Sequence, residues 1–159
     1  MKKEPIRFLF VCTGNICRSP TAHAIFRSRI ALRRLEERVA CDSAGTHAYH
    51  VGEGADPRSA KHGQRRGYDF SFHHARKVNR ADFHDFDWIL AMDQGHFEIL
   101  QELSVPGQRA RIAMFLSSTP ESRETDVPDP YYGGDQGFEH VLDLCEAACD
   151  AWLDKALEE

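Results

Sequence analysis

Residues 8–20 read Phe-Leu-Phe-Val-Cys-Thr-Gly-Asn-Ile-Cys-Arg-Ser-Pro. Phe8 to Val11 is a short all-apolar run of the kind buried on both faces of a parallel sheet. Ser19 followed by Pro20 reads as an N-cap and the first turn of a helix. The segment therefore predicts strand, tight loop and helix in immediate succession. A loop so placed turns backbone N–H groups and the positive end of the helix toward one point, and Gly14 lets the backbone approach a ligand closely. The ligand that suits such a cradle is a phosphate-like dianion.

The side chains around that cradle suggest chemistry. Cys12 stands at its lip, where the same field favours the thiolate, the nucleophilic form of the residue. Arg18 carries a planar fork that can hold two equatorial phosphate oxygens and neutralise developing charge, which a lysine would not reproduce. Ser19 can donate its hydroxyl to the sulfur. A bare Cys-x5-Arg spacing means little in so arginine-rich a chain. The preceding strand, the enclosed glycine and the following helix give it weight, because the mechanism needs each of them.

Phosphoryl transfer from an ester also needs a proton for the leaving oxygen. Val127-Pro128-Asp129-Pro130-Tyr131-Tyr132-Gly133-Gly134 offers one carboxyl on a proline-braced loop. Alone, Asp129 would be an ordinary Asp-Pro turn. Beside Cys12 and Arg18 it becomes a candidate general acid, and Tyr131 and Tyr132 become candidate walls of a slot for a flat aromatic ring.

Strand-like runs at 6–11, 39–42, 88–92 and 110–114 alternate with helical patterns near 19–35, 57–67, 94–103 and 137–157. That order predicts a three-layer, Rossmann-like α/β fold with a central four-stranded parallel sheet and the phosphate-binding loop after its first strand. Sites in such sheets lie at the carboxyl ends of the strands, where Cys12 falls. Residues 115–137 form a long Pro, Gly and Asp-rich connection of the kind that marks a functional loop. At 159 residues the chain is expected to be one domain, 1–159.

The apolar run at 8–11 is too short for a signal h-region, and no stretch approaches the ~20 residues needed to span a bilayer. Five cysteines without framework spacing suit a reducing compartment, so a cytoplasmic protein with no membrane association is expected. A net charge of −5 argues against nucleic acid as a partner, although cations cluster at 58–66 and 76–80.

Cys12 to Pro20, together with Asp42-Ser43-Ala44-Gly45-Thr46 and Asp129-Pro130-Tyr131-Tyr132, resembles the low-molecular-weight protein tyrosine phosphatases over nearly the whole chain. The resemblance implies Cys12 as nucleophile, Arg18 as phosphate-binding arginine and Asp129 as general acid. Thr13, Gly14, Asn15, Ile16, Cys17 and Ser19 would complete the phosphate loop, with Tyr49, Tyr131 and Tyr132 around the substrate. Asn15, Ser19 and Ser43 would hold the loop in its strained shape, and His73 would brace it. Cys17 matches the second loop cysteine, which in the family can form a protective disulfide with the nucleophile. Thr13 and Tyr49 depart from the commonest mammalian pattern, which has leucine and tryptophan there, so substrate preference is where the resemblance is loosest. No cofactor or metal is implied. The implied partners are phosphotyrosine-containing proteins, a cognate tyrosine kinase, and phosphate or another oxyanion in the site of a monomer.

Two rivals stand beside this reading. Arsenate reductases of the same fold need further redox cysteines near the fourth strand, and residues 42–144 contain none. A phosphate-recognition module without turnover would not need Cys12, Arg18 and Asp129 together. Elsewhere, Cys145 and Cys149 lie in the stripe Phe138, Val141, Leu142, Cys145, Ala148, Cys149, Trp152 and are expected to pack in the core. The pairs His47 with His50 and His73 with His74 lack partners at ligand spacing. Asp93 reads as a helix N-cap.

Overall fold

The first strand, β1 (Ile6–Cys12), lies inside the sheet, and its alternation builds the rest of the molecule. Successive strand side chains point to opposite faces. Phe8 and Phe10 enter one core, and Leu9 and Val11 enter the other. The sheet has the order β2-β1-β3-β4, with β2 (Val39–Gly45), β3 (Trp88–Ala91) and β4 (Arg111–Met114) all parallel to their neighbours. This computed structural model describes residues 4–158, with the side chain of Tyr132 outside the described residues.

Helices cover both faces, as the strand-helix alternation requires. On the Phe8 face lie α1 (Arg18–Leu32), α2 (Pro57–Arg65) and α5 (Gly134–Leu157). There Phe8 meets Phe26 and Trp152 at ring distances of 5.1 and 6.1 Å, and Phe10 meets Phe115 edge-on at 5.6 Å. The Leu9 face is closed by the short α3 (Asp82–Asp85) and by α4 (Gln94–Leu103), through Phe83 and Leu100. Cys145 and Cys149 are fully buried in the stripe expected of them.

Several boundaries differ from the sequence expectation, most by one or two residues. Strand β2 runs on to Gly45, because residues through Gly45 keep register with β1 and Gly45 also bridges to Lys77. Helix α1 ends at Leu32, where Arg34 takes a positive φ of 54° and the chain turns back. The connection 115–137 is not structureless: it holds 3-10 turns at Phe115–Ser118 and Pro130–Tyr132, and α5 begins inside it at Gly134. Ser19 is not the N-cap of α1. The helix already starts at Arg18, with Cys17 in the cap position and no side-chain cap bond. Among the described residues no helix is long and apolar enough to cross a membrane.

Candidate active site

Cys12 ends β1, and Arg18 starts α1, so the loop between them is strung from the sheet to a helix N-terminus. Two further strand-like bonds continue past the end of β2: Thr46 N–H donates to Cys12 O at 2.9 Å, and His47 N–H to Thr13 O at 3.0 Å. This close approach needs Gly45. A Cβ there would stand 2.6 Å from the Thr13 carbonyl oxygen and 3.1 Å from the Asn15 nitrogen, both backbone atoms that cannot step aside.

The loop turns at Asn15, whose φ of 59° is unusual for a residue with a side chain. Its buried amide holds that shape from both ends. Oδ1 accepts from Arg76 N–H at 3.0 Å, and Nδ2 donates to Ser19 Oγ at 2.8 Å. Because Ser19 Oγ accepts there, its own hydrogen is free to point to Cys12 Sγ, 2.9 Å away. The cap role lost to Ser19 is thus replaced by a bond to the thiol. Asn15 and Ser19, both fully buried, stand behind the loop and do not line the cavity.

His73 closes the back of the loop. Its Nε2 lies 2.6 Å from the carbonyl oxygen of Asn15, so Nε2 carries the proton. Burial pushes the His73 pKa down, ahead of the Asn15 bond that acts the other way. Ser43 does not reach the loop as the resemblance implied. Its Oγ bonds His23 Nδ1 at 2.9 Å, and the His23 ring meets His73 edge-on at 6.4 Å. Ser43 thus bonds an imidazole that packs beside His73.

Arg18 is 7% exposed and held by one nitrogen. Nη1 donates to Asp93 Oδ2 at 2.8 Å and to Val127 O at 3.1 Å. Both Nη1 hydrogens are then used, and the Nε–Nη2 edge is left for two oxygens of a ligand. Burial acts to raise the Asp93 carboxyl, but the His96 N–H, the His96 ring and the Arg18 guanidinium outweigh it and hold the group below the usual carboxylate range. Asp93 does N-cap α4, as expected, by accepting from His96 N–H at 3.0 Å.

Val127 also brings in the last element. Its N–H donates to Met92 O at 2.8 Å, anchoring the Pro-rich loop at the end of β3, and two residues later Asp129 caps the 3-10 turn through Tyr131 N–H at 3.0 Å. Cys12, Arg18 and Asp129, far apart in sequence, share one cavity of about 500 Å³. Thr13, Gly14, Ile16 and Cys17 line it too. Tyr49, 71% exposed and stacked on His47 at 5.0 Å, and Tyr131, 61% exposed, stand at its mouth.

A family model described as low molecular weight phosphotyrosine protein phosphatase matches residues 7–159. The chain belongs to that family. A low molecular weight protein-tyrosine-phosphatase of Streptomyces coelicolor is 43% identical over 157 residues, covering 96% of this chain and 94% of its own. The human low molecular weight phosphotyrosine protein phosphatase is 40% identical over 150 residues, covering 93% and 94%. A protein tyrosine phosphatase from Entamoeba histolytica, solved with Hepes in its active site, superposes with a TM-score of 0.91 at 41% identity, covering 96% of this chain and 97% of that one.

In this phosphatase the cavity has further walls that sequence reasoning missed. Asp56 N–H donates to Ile16 O at 2.7 Å while its carboxylate N-caps α2 through Arg58 and Ser59, so α2 is tied to the loop. Arg58 lies over the Tyr131 ring at 4.9 Å and faces the cavity, as does His50. The Cys17 thiol bonds Ser59 Oγ at 3.0 Å, and burial, outweighing that bond, which acts the other way, pushes its pKa up to about 12. The one sequence signal that could have pointed to any of this is Asp56 before Pro57, an acidic cap followed by proline in the first turn of α2.

Proposed function

We propose that the chain hydrolyses phosphotyrosine and similar aryl phosphate monoesters through a phosphocysteine intermediate, with Cys12 as nucleophile, Arg18 as oxyanion holder and Asp129 as general acid. The observation that carries this reading is the convergence of a buried thiol, a half-committed guanidinium and an exposed carboxyl on one cavity with aromatic sides.

The Cys12 thiolate attacks phosphorus in line; an S–P bond forms as the ester P–O bond breaks, and Asp129 delivers its proton to the leaving phenolate oxygen. Asp129, now ionised, takes a proton from the water that next attacks phosphorus. The S–P bond breaks, inorganic phosphate leaves and the thiolate is restored. Ser19, its hydrogen aimed at Cys12 Sγ, favours the sulfur as an anion in both steps. The Nε–Nη2 edge of Arg18 and the loop amides hold the equatorial oxygens throughout. Tyr49 and Tyr131 flank the ring of the substrate, a role that extends to Tyr132, and Ile16 and Thr13 fill its base. Cys17 serves as the thiol that captures an oxidised Cys12. The protein acts as a monomer in the cytoplasm, opposite a cognate tyrosine kinase.

Substitution separates these roles. Cys12→Ser abolishes turnover yet still binds phosphate analogues, because the cradle and Arg18 remain. Asp129→Asn costs roughly 10²-fold or more on phosphotyrosine and far less on an aryl phosphate whose phenolate is already stable. Equal losses on both substrates would remove Asp129 from the acid role. Binding without turnover, or arsenate reduction in place of ester hydrolysis, would sink the reading itself.

A further inference from the structure

Both ends of the nucleophile loop are tied to a single helical turn on the other side of the sheet. At the far end, Arg18 Nη1 is held by Asp93 Oδ2 at 2.8 Å. At the near end, Thr13, the residue directly after the nucleophile, has its Oγ1 2.8 Å from Nε2 of His96. Asp93 and His96 are the N-cap and third residue of α4, and Asp93 Oδ1 accepts the His96 N–H at 3.0 Å. His96 itself is buried.

The direction of the Thr13 bond follows from charge. Burial, ahead of the Asp93 carboxylate that acts the other way, pushes the His96 pKa down to about 4, so the ring is neutral near pH 7 and carries one proton. Its Nδ1 stands 3.1 Å from Asp93 Oδ1, off the line of a hydrogen bond, and has no hydrogen-bond partner among the described residues. A bare lone pair there would face a carboxylate oxygen, so electrostatics assigns the proton to Nδ1. Nε2 is then an acceptor, and the Thr13 hydroxyl donates to it. With that hydrogen committed, Thr13 gives none to a ligand in the cavity.

We propose that His96 is a positioning residue: by accepting the Thr13 hydroxyl while Asp93 holds Arg18, the first turn of α4 sets the gap between nucleophile and arginine across which the oxyanion is gripped. The inference rests on the cavity being a phosphatase site. A clamp of this kind acts equally on every phosphate ester, whatever its leaving group, which distinguishes it from the acid role of Asp129.

Thr13→Val removes the donor with little change of shape, His96→Leu removes the acceptor, and His96→Gln keeps an acceptor within reach. Each of the first two is expected to lower kcat about tenfold on phosphotyrosine and p-nitrophenyl phosphate alike, and to weaken binding of inorganic phosphate several-fold by calorimetry. The double variant should be no worse than either single one, because the same bond is lost, and His96→Gln should recover part of the loss. Additive losses, or a Thr13→Val protein with parental kcat and parental phosphate affinity, would overturn the clamp. Should His96→Leu fail to fold, Thr13→Val and His96→Gln carry the test. Absence of turnover in the parent would count against the phosphatase reading, while phosphate affinity would still decide the clamp.

Discussion

Acidification from pH 7 to pH 5 should weaken the fold through two imidazoles kept uncharged by burial. His23, with Nδ1 on Ser43, has its pKa pushed down to about 3, first by burial and then by His73, Arg27 and Arg76. His96 is pushed down to about 4, chiefly by burial. The folded values lie below the ordinary value of about 6.5 that the unfolded chain regains. Their contribution is therefore fully present above pH 6.5 and is lost as the pH falls toward the folded values. By pH 5 the unfolded state has bound nearly one proton at each site and the folded state almost none. The ordinary pKa lies about 1.5 units above that pH, and at about 1.4 kcal/mol per unit each histidine costs about 2 kcal/mol, or about 4 kcal/mol for the pair. His73, also pushed down mainly by burial, adds in the same direction. Ordinary carboxylates remain largely ionised in both states over this window and change the balance little. Urea unfolding followed by fluorescence of the buried Trp88 and Trp152 at constant ionic strength reads the difference directly. His23→Asn and His96→Asn should each remove about half of the pH dependence, whatever they do to stability at pH 7. A stability at pH 5 within about 1 kcal/mol of that at pH 7, or a pH dependence untouched by both substitutions, would refute the reasoning.

Gly45→Ala places a methyl 2.6 Å from the Thr13 carbonyl oxygen, so the loop must shift; kcat should fall at least tenfold, with stability lowered by about 1–3 kcal/mol as read by thermal melting. Mild peroxide should yield a Cys12–Cys17 disulfide that thiol reverses, whereas Cys17→Ser should oxidise irreversibly; peptide mapping that instead pairs Cys12 with the fully buried Cys145 or Cys149 would remove Cys17 from the protective role. Because Arg18 and the loop amides supply the positive charge, EDTA should leave aryl phosphatase activity intact, and loss with rescue by a divalent ion would count against the mechanism.

What could be read from the sequence was what lies contiguous in it. The strand, loop and helix from Ile6 to Leu32 carry their own signals, and Cys12 and Arg18 sit inside them. Asp129 was legible because prolines brace it and tyrosines follow. Ser19 reads both as an N-cap and as a partner of the sulfur; the second reading matches the 2.9 Å contact with Cys12 Sγ, and the first fails because the helix already starts at Arg18. The motif alone places Ser43 at the loop, whereas its hydroxyl pairs with His23, a contact made only by packing. The tie between Thr13 and His96 spans 83 residues and depends on β1 and β3 lying side by side, which no local pattern records. Gly45 was quoted as part of a motif, yet its reason, a backbone crossing at close range, exists only once β2 is in register with β1.

The stacking of Arg58 over both Tyr131 and Phe138, at 4.9 and 5.1 Å, joins the rim of the cavity to the body of α5. Elsewhere on the rim, Tyr49 stacks on the neighbouring His47 imidazole, its one ring contact among the described residues. One side of the entrance thus inherits the stiffness of a 24-residue helix, and the other carries its exposed tyrosine on a loop. An asymmetry of that sort gives lineages a place to change the proteins they act upon while the reaction stays the same. Divergence among relatives should therefore gather on the Tyr49 side of the mouth.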